Sequence, residues 1–433
     1  MKTRLGIVGG GPAGMMAAIR AAGILGDGSR VVLFDKNERL GRKIYLTGKG
    51  RCNLTNRRGW EEFSTHIHPN QGFLKQAFRA FSNEDLIRFF EEDLGVPTVT
   101  LQGQRVFPAS LSAGDVARAL ERKVRDLGVD IRYRTRIGSL ADLSGFGAVI
   151  VATGGRSYPV TGSTGDGYDF AAEAGHSITP TFPSETALLP RGYDPALIGQ
   201  TLKNVGLQLL VDGTCVQSEQ GEFSFTEDGL ESGIAYKLSR RAVWALTNGQ
   251  HVEIVLDLKP ALSEEQLAAR IKRMVQADSN ARQNLFGPSE GAPTRKNLPL
   301  HQACPRPLGP SVAKTLDACT LLPKVLTAPF LRSQTGLTAE KLPKALKAWR
   351  FQIEDYKGFE RAVVTAGGVS LKEIVPKTMA SRLRPGLYLC GEVLDLDGDT
   401  GGYNLQIAFS TGALAGANAA HFLLSSQNQN TTI

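Results

Sequence analysis

The stretch Gly9-Gly10-Gly11-Pro12-Ala13-Gly14 decides how the chain folds. Its glycines at 9, 11 and 14 have the spacing Gly-x-Gly-x-x-Gly. Gly9 permits a tight turn, Gly11 lets a pyrophosphate approach the backbone, and Gly14 lets a helix pack closely on a strand. The pattern is weak alone and gains weight from its neighbours. Arg4 to Val8 is apolar and reads as a strand. Pro12 to Leu25 is alanine-rich and carries proline at its start, where a helix tolerates one. Arg30 to Phe34 reads as a second strand ending at Asp35. An acid about 20 residues beyond the glycines is placed to accept from ribose hydroxyls. A phosphate would sit at the helix N-terminus, where free N–H groups and the dipole favour negative charge. This βαβ unit predicts a dinucleotide site at Gly9, Gly11, Pro12, Ala13, Gly14, Asp35 and the adjoining Lys36.

Two later segments repeat the style. Ala148 to Ala152 is a continuous apolar run, typical of a buried parallel strand, and leads into Thr153-Gly154-Gly155. Gly386 to Cys390 leads into Gly391-Glu392, then a Gly/Asp loop and an alanine-rich final helix. Between about Pro190 and Arg361 the texture differs. Short strand-like runs at Thr201 to Leu210, Glu222 to Phe225 and Val252 to Leu256 suggest antiparallel pairing, and Ser263 to Gln276 reads as a helix. The simplest organisation is a discontinuous nucleotide domain that carries an insertion.

The 433 residues carry 50 Lys+Arg and 42 Asp+Glu, a net charge of +8. Fourteen basic and six acidic residues fall between Ala261 and Arg350, so that segment alone carries the excess. A local positive field favours an anionic partner such as nucleic acid. A solvated lysine-rich face is the plainer account. Apolar residues make up 42 % and charged residues 21 %, which excludes disordered, collagen-like and coiled-coil classes. The five cysteines are odd in number and none is spaced CxxC, so a disulfide framework or zinc site is not expected. No membrane span and a cytoplasmic setting are expected. His66 and His68 have no third ligand near them in sequence, and no metal site is assigned.

The three strand–glycine elements resemble the FAD-binding fold of the glutathione-reductase superfamily. In that resemblance the acid after the last strand, here Glu392 beside Gly391, contacts the flavin ribityl chain. The start of the final helix, at Gly402, Tyr403, Asn404 and Leu405, faces the flavin pyrimidine ring. Only one strand–Gly-x-Gly-x-x-Gly–helix unit is present, so a separate nicotinamide domain is not expected. Without CxxC, disulfide-reductase chemistry is set aside.

The loop Gly41-Arg42-Lys43-Ile44-Tyr45-Leu46-Thr47-Gly48-Lys49-Gly50-Arg51-Cys52-Asn53-Leu54-Thr55-Asn56 narrows the match. With Thr365-Ala366-Gly367-Gly368-Val369 and Gly401-Gly402-Tyr403-Asn404-Leu405-Gln406, it resembles the bacterial YhiN/BaiN-type flavoproteins, which bear an aminoacetone-oxidase designation. Lys49 departs from that family, which often has glycine there. The resemblance implies an α/β fold in three parts. These are a Rossmann-like FAD-binding domain at 1–190 and 366–433, a β-rich insert at 191–260 and 351–365, and a nested basic helical subdomain at 261–350. It further implies cofactor contacts by Arg42, Lys43, Ile137, Thr153 and Gly154.

The implied activity is FAD-dependent reduction of a conjugated C=C bond, with NAD(P)H or another donor binding transiently to replenish the flavin. Two substrate classes follow from the family: a uridine of large-subunit ribosomal RNA, bound through the basic insert, or a small steroid-like enone or amine. A non-enzymatic, FAD-stabilised RNA-binding factor is the third reading. Cys52 is the candidate catalytic proton donor, because the adjacent Arg51 would lower its pKa. A small packing residue in a tight loop is the alternative for it.

Overall fold

The computed structural model describes residues 4–285, 312 and 321–431. The chain divides into two compact units. One is Met1–Thr186 with Lys357–Ile433, and the other is Ala187–Tyr356.

The first unit is built on a five-stranded parallel sheet. Its spatial order is Leu387–Leu389, Ala148–Val151, Leu5–Val8, Val31–Phe34, Asp130–Arg132. Leu5–Val8 lies at the centre, with Leu5 in register with Val31 on one side and Ala148 on the other. All four of its residues are buried, as an unbroken apolar run in a doubly covered parallel sheet requires. The helix Pro12–Leu25 follows with proline in its first turn, and ends on Gly26 in the left-handed conformation, whose N–H bonds back to Ala22 O. It crosses the final helix, Tyr403–Thr431, at close range. A Cβ on Gly412 or Gly416 would stand 2.3 or 2.2 Å from Ala13 O or Ala17 O. Two small residues one helical turn apart thus let the backbones touch.

The final helix is the one described helix long and apolar enough to cross a membrane, and 67 % of its apolar window is buried inside the protein. Asn83–Arg88 is α-helical, started by a capping box between Ser82 and Asp85, and Phe89–Asp93 is a π-turn.

The second unit is a closed six-stranded antiparallel barrel in the order Leu188–Pro190, Gly229–Glu231, Thr214–Thr226, Thr201–Val211, Val252–Asp257, Trp349–Tyr356. Trp349, Phe351 and Ile353 face inward and alternate with exposed residues, the period-two pattern of a strand with one buried face. Phe223, Phe225, Phe330, Trp349 and Phe351 pack ring to ring in its core. The insert runs from Ala187 to Tyr356, where the sequence suggested 191 to 365. The reason is the strand Val364–Val369, which pairs antiparallel with Ile178–Ser184 and so belongs to the nucleotide unit. The proposed helical piece 261–350 is not divided off as a third unit. Residues 286–311 and 313–320 of it, with Cys304 and Cys319, lie outside the described residues. Its described helices, Glu264–Leu285, Lys324–Ser333 and Leu342–Lys347, lie within the barrel unit.

Candidate active site

The strand ends of the nucleotide unit open onto one elongated cavity. Its walls are the glycine turn 9–13, the end of the second strand at 34–37, the loop 41–44, the turn 135–137, residues 152–154, and the start of the final helix at 404–405. Segments far apart in sequence meet here because parallel strands all present their C-terminal ends to the same edge, where such sheets bind ligands.

The glycine turn divides its labour. Gly9 has φ +107° and a Cβ there would stand 2.4 Å from Ala152 O; at Gly14 it would stand 1.8 Å from Gly9 O. Both are required by packing. Gly11 differs, because a Cβ there meets nothing within 4 Å. Its missing side chain keeps cavity space open. No side chain caps the helix Pro12–Leu25 and no acid occupies its first turn, so its N-terminal N–H groups are left for a ligand. Asp35 is held at the wall by accepting from Gly10 N at 2.8 Å and Asn37 N at 2.7 Å. An open glycine, an uncapped helix start and a fixed carboxylate are what a dinucleotide pyrophosphate and ribose need. The residues therefore fit FAD.

Several expected cofactor residues line the cavity but are engaged elsewhere. Lys36 forms an ion pair with Asp166 at 2.8 Å and donates to Thr164. Arg42 donates to Asn37 Oδ1 at 2.9 Å. Lys43 pairs with Glu392 at 2.9 Å, and Glu392 also accepts from Thr365 N at 2.8 Å. Two residues the sequence treated separately are thus one ion pair across the cavity, about three-quarters buried on each side. Ile137, Thr153, Gly154, Asn404 and Leu405 line the cavity as well.

Gly14, Gly391, Gly402 and Tyr403 do not line it. Gly391 and Gly402 act through the backbone, with φ of +77° and +100°, and a Cβ on Gly402 would stand 2.4 Å from Thr55 C. Tyr403 is buried and turned away. Its ring stacks on His66 at 4.5 Å, and its hydroxyl accepts from Arg58 Nη1 at 2.7 Å. It supports the helix start and does not touch the cavity.

Cys52 also requires correction. It is fully buried, has φ +59°, and is absent from the cavity wall. Burial pushes its thiol up to about 12, against a smaller lowering by the hydrogen bond with Thr47. Arg51 gives no opposing pull, since its Nε donates to Gly48 O and its guanidinium lies over the Phe107 ring. The packing account of Cys52 therefore fits the structure. Native-state alkylation at about pH 8, followed by peptide mapping, is expected to label exposed Cys215 and spare buried Cys52 and Cys390. Rapid labelling of Cys52 would contradict its burial.

Sequence reasoning missed a cluster beside the final helix. His66 Nδ1 and His68 Nε2 bond the two oxygens of Asp399 at 2.8 and 3.0 Å. Burial raises the Asp399 carboxyl, but these hydrogen bonds outweigh it and hold the group at about 2. The histidines had no visible partner because Asp399 lies more than 300 positions away; the antiparallel pair Ile67–His68 with Asp397–Gly398 brings it in. No group of three or more His, Cys, Asp or Glu among the described residues is arranged to hold a metal ion.

Residues 3–418 match the family described as HI0933-like protein Rossmann domain. The chain belongs to that family. A 3-dehydro-bile acid delta(4,6)-reductase of Clostridium scindens is 30% identical, over 96% of this chain and 99% of its own. A ribosomal RNA dihydrouridine synthase of Escherichia coli is 28% identical, over 94% of this chain and 95% of its own. Among solved structures, a 3-ketosteroid-delta4-(5alpha)-dehydrogenase of Rhodococcus jostii is 14% identical with a TM-score of 0.48, over 96% of each chain. The protein is a flavin-dependent oxidoreductase with a Rossmann-type FAD domain.

Proposed function

We propose that this protein reduces a C=C bond conjugated to a carbonyl, and that its substrate is a uridine of large-subunit ribosomal RNA. One observation carries the reaction class. Both curated relatives, similar over nearly the full length, have names that denote addition of hydrogen across such a bond, one in a steroid and one in a uracil ring. When bound, FAD supplies the hydride donor at its N5.

The chain's residues do the rest. The Gly11 opening and the N-terminus of Pro12–Leu25 would hold the pyrophosphate, and Asp35 would take the ribose. The helix Tyr403–Thr431 has no acid in its first turn. Its positive end would lie toward the pyrimidine edge of a bound flavin and would favour negative charge there. The Lys43–Glu392 pair fixes a donor and an acceptor in the cavity wall that would serve a ribityl chain. NAD(P)H is proposed as a transient reductant.

The basic segment favours RNA. Arg270, Lys272, Arg273, Lys324, Lys341 and Lys344 are exposed and form no ion pair with another described residue. Arg332, Lys347 and Arg350 are instead neutralised by Asp194, Asp257 and Glu253. Unpaired surface cations suit phosphate contacts. The second reading is a steroid-like enone, favoured by the bile-acid relative and by Val363, Val364, Leu396 and Leu405 in the cavity wall.

Nucleoside mass spectrometry of ribosomal RNA separates the two. A strain lacking the protein is expected to lose dihydrouridine at one site and regain it on complementation. Unchanged dihydrouridine would move the assignment to the enone.

A further inference from the structure

Glu185 is a buried carboxyl that the proposed chemistry does not use. It follows the strand Ile178–Ser184 and is hydrogen-bonded to two residues of the cavity wall. Its side chain accepts from Asn404 Nδ2 at 3.1 Å, and its carbonyl accepts from Val363 N at 3.1 Å. Asn404 and Val363 both line the cavity. The Asn404 amide is otherwise spent on Gly398, donating to its O at 2.7 Å and accepting from its N at 2.8 Å. Glu185 therefore bonds to Asn404 in the first turn of the final helix. Its φ of +50° is a backbone conformation that few side chains adopt, so the fold holds it there against local preference.

Its surroundings are mostly acidic. Asp397 and Asp399 face it from the loop before the final helix, with the Thr400 side chain as a hydrogen-bond partner and Lys43 as the opposing cation. Lys43 is committed to Glu392, and the Asp399 charge is shared with His66 and His68. Burial first, then Asp399 and Asp397, push the Glu185 carboxyl up to about 8, against smaller lowering by Thr400 and Lys43. Near neutrality it keeps its proton.

We propose that Glu185 is a proton store tied to the redox state of the flavin cavity, taking up one proton in alkaline solution as the bound cofactor accepts two electrons. The balance is simple: an external reductant supplies two electrons to the flavin, and solvent supplies one proton to the Glu185 carboxylate. The added negative charge raises the carboxyl's pKa further. Between its pKa before and after reduction, reduction protonates Glu185. Below about pH 8 it is protonated in both states and contributes nothing. Glu185 acts through Asn404 and is a positioning residue, not one that touches substrate. The proposal rests on the FAD assignment and is independent of the substrate.

The test uses holoprotein with dithionite as reductant and no substrate. Potentiometric titration of the flavin across about pH 6 to 10 is expected to show a slope that steepens above about pH 8, by one proton per two electrons. Glu185→Gln is expected to lose that break. Redox-difference infrared spectra of ¹³C-glutamate-labelled wild type are expected to gain a carboxylic-acid band on reduction at about pH 9, and this reading needs no variant that folds. An unchanged slope in Glu185→Gln, or no such band in wild type, would overturn the proposal. Loss of RNA activity or its absence does not alter either readout.

Discussion

The Gly11→Val protein folds normally and fails to hold FAD. A Cβ at position 11 meets nothing within 4 Å beyond its chain neighbours and faces the cavity, so the apoprotein's thermal midpoint should match wild type. The branched side chain instead fills the space where the backbone must let a pyrophosphate approach the helix N-terminus. An affinity loss of about a hundredfold or more is expected, equal to about 2.7 kcal/mol. Gly14→Ala provides the contrast. Its Cβ would stand 1.8 Å from Gly9 O, which is backbone and cannot swing aside. Overpacking of that kind costs about 1–3 kcal/mol or more, so this protein should lose stability with or without flavin. Circular dichroism melting of both apoproteins, alongside flavin absorbance after desalting, separates the two defects. A Gly11→Val protein that retains flavin would remove the glycine turn from the cofactor site.

The second large effect concerns the basic segment. Replacing Arg270, Lys272, Arg273, Lys324, Lys341 and Lys344 together by alanine is expected to weaken ribosomal RNA binding by about a hundredfold at low salt. The logarithmic salt slope should flatten by about 0.9 for each phosphate that is no longer neutralised. All six are exposed and none is paired with another described residue, so the fold should tolerate the change. Surface substitutions of this kind usually alter stability by about 0.5 kcal/mol or less each. Flavin content and its absorbance spectrum should be unaffected, since all six lie in the barrel unit and the flavin cavity is lined by the other. Filter binding across about 50 to 200 mM salt measures it. Unchanged affinity and slope would leave these cations as solvated surface, the plainer account of the charge.

The parallel sheet was legible because each of its elements is local. A buried apolar run, a glycine turn and a helix start can be read within a short window. The packing need for glycine at positions 9 and 14 was legible for the same reason. What escaped was everything made by distant pairing. Lys43 with Glu392 and Asp399 with His66 and His68 are each separated by more than 300 positions, and no spacing rule relates them. Glu185 gave no signal, because a glutamate before an ordinary Thr-Ala pair looks solvent-exposed until two strands close over it. The proton-donor account of Cys52 assumed that adjacency to Arg51 fixes side-chain direction, whereas the guanidinium lies over Phe107 and the thiol is buried, as the packing account has it. The net charge, by contrast, changed meaning once paired and unpaired cations were told apart.

The most direct test of the central claim is an anaerobic single turnover. Holoprotein, reduced with a chemical donor and freed of excess reductant, is mixed with large-subunit ribosomal RNA from a strain lacking the protein. Flavin absorbance is expected to return as dihydrouridine forms at one position, in equal molar amounts. Flavin that stays reduced with this RNA, and is reoxidised by a conjugated steroid enone, would contradict the assignment of uridine as its substrate.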